Sequence, residues 1–324
     1  MNLKARLFLF CMIIFALIPS CTPANTTSNT PAAITQNTKT SISIDGAFAL
    51  YPLMQRWSAE YTKLHPNTTF DISAGGAGKG MTDTLSGMVD IGMISREISS
   101  AEEAKGAFWI AVAKDAVFPV INSKNPVAAD LLQKGVTRET LIGIYITGTI
   151  KTWGQVVGRP DITDQIHVYT RSDSCGAADT WSKYLGKTQE NLLGIGVSGD
   201  PAMIDAVVKD PLGISYNNLA YAFDTTSGAL IPGTIILPID VNENGKADPD
   251  EVYSTKSAAL DAINTGKYPS PPARLLYLAT KGKPSGSVKD FLQWILTDGQ
   301  QFVAESGYIQ LTPDILKTSQ GKMN

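Results

Sequence analysis

The stretch Tyr169–Tyr184, YTRSDSCGAADTWSKY, decides how the rest of the chain is read. Ile166 to Tyr169 reads as a strand running into Arg171-Ser172-Asp173-Ser174-Cys175-Gly176. Ala177 to Leu185 then reads as a helix, with Trp181 and Leu185 on one face. The first turn of a helix carries N–H groups with no partner inside it, and these attract an anion. Gly176 lets a ligand approach the backbone closely. Arg171 adds a planar cation suited to an oxyanion, and Asp173 is placed to hold its guanidinium. Strand, glycine turn and helix together predict half of an anion-binding cleft.

Similar units precede it. Ser41 to Ile44 reads as a short strand, Asp45 to Phe48 as a turn, and Leu50 to Leu64 as a helix whose face is Leu53, Met54, Trp57, Tyr61 and Leu64. Thr69 to Ser73 is a second strand. It enters Ala74-Gly75-Gly76-Ala77-Gly78-Lys79-Gly80, followed by a helix over Met81 to Gly87 and a strand over Val89 to Ser95. Parallel α/β sheets bind ligands at the carboxyl ends of their strands, where such turns gather. The Gly-rich turn lacks the Gly-Lys-Ser/Thr ending of a nucleotide P-loop. Strands at Val117 to Asn122 and Leu275 to Ala279 are candidate crossovers, and Thr137 is an N-cap opening a helix to Tyr145. The pattern predicts an α/β fold of two lobes joined by a hinge.

The 324 residues suffice for about two domains. With 43% hydrophobic and 18% charged residues, a net charge of −3 and no basic tract, nucleic-acid binding is excluded. Lys4 and Arg6 precede an apolar run, Leu7 to Ile18, of 12 residues. At ~1.5 Å per residue it reaches ~18 Å, short of a ~30 Å hydrocarbon core. It therefore reads as an export signal. Its end, Ile18-Pro19-Ser20-Cys21, resembles a bacterial lipobox, which implies lipidation of Cys21 and a membrane-anchored location facing the periplasm or cell exterior. Residues 22–40 are Thr/Asn/Ser/Pro/Ala-rich and read as a flexible tether. Cys175 is then the single remaining cysteine, so no intramolecular disulfide is available.

These blocks, in their order and spacing, resemble the phosphate-binding proteins of bacterial and archaeal phosphate ABC importers. The resemblance rests on GAFALYPLMQRW, ISAGGAGKGM with VDIGMISREI, YTRSDSCGAADTW, DPLGISYNNLAYA and YLATKGKPSGSVKDFLQWIL. It implies the two-lobed periplasmic binding protein fold of type II, closing on a dehydrated oxyanion. Lobe one would be residues 41–118 and 272–324, and lobe two residues 119–271. It also implies a monomer that delivers phosphate, or another oxyanion, to an ABC permease. The family's ligand positions fall at Phe48, Ala49, Ala77, Ser95, Arg171, Cys175, Gly176 and Ala177, with Asp173 in support. Hydroxyl-bearing positions of the family hold Ala49, Ala77, Cys175 and Ala177 here, and an acidic or hydroxyl position holds Ser95. This copy is therefore expected to rely on backbone donors and Arg171.

Two further features point elsewhere. DVNENGKADPDE places oxygen ligands at Asp240, Asn242, Asn244, Asp248 and Glu251, with Gly245 at the sharp turn and Lys246 ligating through its carbonyl. This EF-hand-like loop, 240–251, predicts a structural calcium ion. A thiol at a helix start also fits a nucleophile, but a cysteine enzyme needs a base, and the two histidines, His65 and His167, have no evident route to Cys175. A binding protein is expected, not an enzyme. A sensor or adhesion module without a permease is the alternative.

Overall fold

One long strand organises the sheet. In the computed structural model, which describes residues 39–324, β4 (Ala107–Asn122) runs unbroken for 16 residues. Its sequence, AFWIAVAKDAVFPVIN, is apolar nearly throughout, as suits a strand covered on both faces. Sequence periodicity marks only its end, from Val117, because Lys114 and Asp115 interrupt the apolar run. Asp115 is nevertheless fully buried, within ion-pair distance of Arg274 at 3.4 Å.

The other strands are β1 (Thr40–Gly46), β2 (Thr68–Ile72), β3 (Ile91–Ile94), β5 (His167–Arg171), β6 (Ile195–Val197), β7 (Gly213–Asn218), β8 (Thr234–Ile236) and β9 (Ala273–Lys281). Their order is β2-β1-β3-β9-β4-β7-β5-β6, with β8 also on β4. β2, β1 and β3 are parallel neighbours, as are β6, β5 and β7. The two parallel sets are joined through antiparallel β9 and β4. β4 pairs with β9 over Ala107–Ala116 and with β7 over Val117–Ile121. Both crossovers expected from the sequence are these two strands.

Two hydrophobic cores result. One gathers Ile42, Ile44, Trp57, Met93, Ile110, Leu278 and Phe291; the other gathers Val117, Phe118, Trp153, Trp181, Ile214 and Tyr216. β4 contributes Ile110, Val112 and Ala113 to the first and Ala116, Val117, Phe118, Val120 and Ile121 to the second. Each fully buried large side chain is worth about 1.5–3 kcal/mol relative to exposure. The helix Tyr51–Leu64 shows the local logic. Pro52 sits in its first turn, where a missing N–H costs nothing, and Leu53, Met54, Trp57 and Tyr61 form its buried face. Trp57 donates its indole N–H to Gly299 O at 2.8 Å. Leu64, expected on that face, is 62% exposed because the helix ends there at the surface.

Several boundaries move. The second helix is Ala77–Ser86, starting earlier than the expected Met81 because its glycines allow close packing: a Cβ on Gly80 would lie 2.6 Å from Gly46 Cα. Thr137 does cap a helix, Arg138–Ile142, accepting from Thr140 N at 3.2 Å, but a π-helical turn, Gly143–Thr147, follows. The helix Pro313–Met323 is unforeseen, since its sequence is mostly polar; its Ser319 accepts from Ala111 N at 3.1 Å, where β4 bulges against β9. The apolar run, Cys21 and nearly all of the tether lie outside the described residues. No described helix is long and apolar enough to cross a membrane.

Candidate functional site

The strand β5 ends at Arg171, and the helix Gly176–Tyr184 begins five residues later, as the sequence predicts. Arg171 is buried, and three of its five guanidinium N–H groups are paired with carboxylates. Its Nε donates to Asp173 Oδ1 at 2.7 Å and its Nη2 to Asp173 Oδ2 at 2.5 Å, a two-pronged pair. Its Nη1 donates to Asp200 Oδ2, also at 2.5 Å. Burial opposes the guanidinium's charge, but Asp200, the neighbouring Cys175 and Asp173 outweigh it and raise its pKa above the ordinary range. The backbone is pinned as well: Arg171 N donates to the Tyr216 hydroxyl at 3.0 Å, and that hydroxyl pairs with Thr170 Oγ1 at 2.8 Å.

Cys175 is the N-cap of the helix. Its Sγ accepts from Ala178 N at 3.4 Å, and its own N–H donates to Gln189 Oε1 at 3.3 Å. Burial pushes the thiol up to about 12; Arg171 opposes this, while Asp173 and Asp200 add to it. The thiol is therefore protonated near neutrality. His167 does not serve it, since its Nδ1 lies 2.7 Å from Asp210 Oδ2. Gly176 and Ala177, the first helical residues, present N–H groups that a helix cannot satisfy internally.

The Gly-rich block meets this motif directly. Gly78 N donates to Ser174 O at 3.1 Å. Gly76 has φ +94, and a Cβ there would lie 2.8 Å from Ser174 O, so a side chain at this position is doubly excluded. Ala77 opens its helix beside these contacts. Ser95, just after β3, is buried, and its carbonyl and hydroxyl would overlap any Cβ on Gly176. Lys79 does not reach the motif: it pairs with Asp45 and, at 2.5 Å, with Asp83. Asp45 is lowered despite burial, chiefly by Lys79.

Phe48 and Ala49 come from the turn after β1. Ala49 is buried and its carbonyl accepts from Tyr308 Oη at 2.8 Å. Phe48 sends its ring across, with the ring centre 5.4 Å from the guanidinium carbon of Arg171. Its carbonyl accepts from Tyr221 Oη at 3.3 Å. Of the expected ligand positions, Phe48 meets Arg171 and Ser95 meets Gly176, and at Phe48 the ring is the prominent feature, where the resemblance suggests a polar donor.

Asp200 escapes the sequence analysis. It opens the helix Asp200–Lys209, where an acidic residue looks like an ordinary complement to the helix dipole. Its Oδ1 accepts from Asn218 Nδ2 at 2.7 Å and Asn218 N at 3.3 Å. The local signal is Gly199-Asp200-Pro201, with Gly199 at φ +80, but nothing there names Arg171 as partner.

The loop 240–251 is closed by its own bonds. Asp240 accepts from Asn244 N at 3.1 Å and Gly245 N at 2.8 Å; Glu251 accepts from Val241 N at 2.8 Å and Asp248 N at 3.0 Å. Asn242 and Asn244 donate their side-chain amides to Asp248 Oδ2 at 2.8 and 3.0 Å. Gly245 turns at φ +77, and Lys246 N donates to Asn244 Oδ1 at 2.9 Å. The all-oxygen set suits a hard cation. Among the described residues, however, no three His, Cys, Asp or Glu side chains converge as a metal site.

Residues 31–299 match the family model described as PBP superfamily domain. The chain belongs to the PBP superfamily. Relatives of this PBP chain include the phosphate-binding protein PstS of Bacillus subtilis, 26% identical over 88% of this chain and 85% of that protein. PstS of Methanocaldococcus jannaschii is 25% identical over 84% and 82%. The fold matches an ABC-type phosphate transport receptor from Vibrio cholerae, with TM-score 0.60, 21% identity and coverage of 83% of this chain and 100% of that one. It also matches a candidate phosphate ABC transporter substrate-binding protein from Clostridium perfringens, solved with bound phosphate, with TM-score 0.68, 22% identity and coverage of 84% and 100%. The α/β, two-lobed fold class and the PstS-type resemblance are borne out. The PstS relatives are named as binding proteins and not as enzymes, in line with the expectation from the sequence.

Proposed function

We propose that the chain is an extracytoplasmic solute-binding lipoprotein that captures an oxyanion of the phosphate class and delivers it to an ABC permease. The observation that carries this is the meeting of two sequence-distant blocks, with Gly78 N bonded to Ser174 O at 3.1 Å. That contact sets the first turn of the Ala77–Ser86 helix against the turn that leads from Arg171 into the Gly176–Tyr184 helix. Aimed N–H groups would replace the water of a dehydrated anion. The names of the PstS relatives support phosphate as the reference ligand. Titration calorimetry against a panel of tetrahedral oxyanions tests the proposal, and absence of binding to all of them overturns it. A sensor or adhesion role would show the same binding without a permease. A Cys175-dependent enzyme is disfavoured by the protonated thiol and by His167 pairing with Asp210.

Calcium binding at Asp240, Asn242, Asn244, Lys246, Asp248 and Glu251 is a second proposal. Its support is the twelve-position spacing, with buried Asp240 and Glu251 at the two ends of the loop. Ala247 N also donates to Gln133 O at 2.9 Å, tying the loop to the second core. A cation there would staple that core. Calorimetric melting with and without chelator is the test, and an unchanged Tm after verified calcium removal counts against it.

A further inference from the structure

This inference rests on the oxyanion-binding role proposed above and adds a positioning residue to that site. Arg274 lies on β9, opposite Asp115 of β4, and its side chain is only 7% exposed. Its forked guanidinium reaches from the crossover strands to the helix Gly176–Tyr184. Nη1 donates to the carbonyl oxygen of Gly176 and, at 2.9 Å, to Thr180 Oγ1. Residues four apart share a helix face, so one nitrogen clasps the first two turns. Nη2 donates to Asn218 Oδ1 on β7 and lies 3.4 Å from Asp115 Oδ2.

The bond to Gly176 bears on an anion through the covalent structure of the chain. The carbonyl of Gly176 and the N–H of Ala177 belong to one planar, conjugated peptide group. A cation at the oxygen polarises that group and makes its N–H a stronger donor. This N–H is one that the helix cannot satisfy internally, and it falls at an expected ligand position. A second path leads to Arg171. Asn218, which accepts from Arg274 at Oδ1, donates its Nδ2 to Asp200 Oδ1 at 2.7 Å. Asp200 Oδ2 in turn accepts from Arg171 Nη1 at 2.5 Å. Arg171, Asp173 and Asp200 form a cluster of formal charge −1, one guanidinium against two carboxylates, so the carboxylates fix where Arg171 points.

We propose that Arg274 is a positioning residue of the anion site. It holds the start of the Gly176–Tyr184 helix, strengthens the Ala177 N–H through the Gly176 carbonyl, and orients Arg171 through Asn218 and Asp200. Its action runs through these groups and not through contact with the anion.

The test is titration calorimetry of the full chain in detergent with inorganic phosphate, joined to the amide NMR signal of Ala177 in the ligand-free chain labelled at alanine nitrogen. Arg274→Met, similar in length and without charge, should weaken phosphate binding at least about tenfold and shift the Ala177 nitrogen signal upfield. Arg274→Lys keeps the charge but loses the fork that holds Gly176 and Asn218 together, and should weaken binding by about threefold. Ile263→Ala opens a cavity in the second core, and should lower Tm while leaving both readouts at wild-type values. In Arg274→Met, an unmoved Ala177 signal or an affinity within about twofold of the wild type overturns this inference and leaves the oxyanion role standing. If that variant does not fold, an affinity within about twofold in Arg274→Lys does the same. An equal affinity loss in Ile263→Ala assigns the effect to lost stability and also overturns it. No saturable heat with phosphate or any other tetrahedral oxyanion in the wild type overturns both readings.

Discussion

Replacing Asp200 by asparagine tests whether Arg171 is held by protein carboxylates. The swap preserves shape and removes one charge. Asp200 accepts from Arg171 Nη1 at 2.5 Å, Asn218 Nδ2 at 2.7 Å and Asn218 N at 3.3 Å, and all three partners are donors. An amide has one acceptor oxygen and one NH2 group, so in either orientation the NH2 faces a donor. A charge-assisted hydrogen bond is worth about 1.5–3 kcal/mol. Breaking one partner out of a buried ion pair costs about 3–5 kcal/mol. Because Asp173 still holds Arg171 on two N–H groups, the loss should fall at the low end, at about 3 kcal/mol. Urea unfolding reads this as a lower midpoint at unchanged slope. The same change takes the site from a formal −1 to 0, so affinity for an inorganic dianion should rise in calorimetry. A stability loss below about 1 kcal/mol with unaltered anion affinity would refute the account of Arg171 as a neutralised group.

Three further outcomes follow from particular residues. Gly176→Ala places a methyl into the Ser95 carbonyl and hydroxyl, at a cost of about 1–3 kcal/mol, and should lower Tm and abolish oxyanion binding; an unchanged Tm and affinity would contradict the close approach. Cys175, buried and protonated, should react with iodoacetamide at pH 8 about a hundredfold more slowly in the native protein than in urea, read by mass spectrometry of its peptide; similar rates would mean the thiol is open to solvent. Burial raises Asp115 from 3.8 to about 6 although Arg274 opposes it. The native state therefore binds more protons than the unfolded state between these values, and stability falls as pH rises through that window, by up to about 3 kcal/mol. Asp115→Asn should flatten this part of the stability curve, and an identical pH profile would show that Asp115 does not titrate there.

The parts of the fold visible in the sequence are those with a local cause. The helix Tyr51–Leu64 announces itself by an apolar face, and the helix Gly176–Tyr184 by a strand, a glycine and a turn before it. Arg171 and Asp173 are two residues apart, so their pairing is legible from spacing alone. What stays hidden depends on chain segments far apart. Asp200 meets Arg171 only because β5 and β7 are neighbours and the helix from Asp200 packs over them. The first two-thirds of β4 are obscured by Asp115, a buried charge whose partner Arg274 lies 159 residues away. The Phe48 ring is hidden differently: its position in the chain marks a ligand contact, while its crossing to Arg171 depends on how the two cores meet.

β4 has a mechanical consequence as well. A hinge made of loops would let each core melt alone, but here one continuous strand supplies Ile110 to one core and Val117 to the other. If either core unfolds, half of β4 loses its neighbours, and the dangling half exposes a row of apolar side chains and unpaired backbone groups. That penalty ties the two cores into a single melting transition.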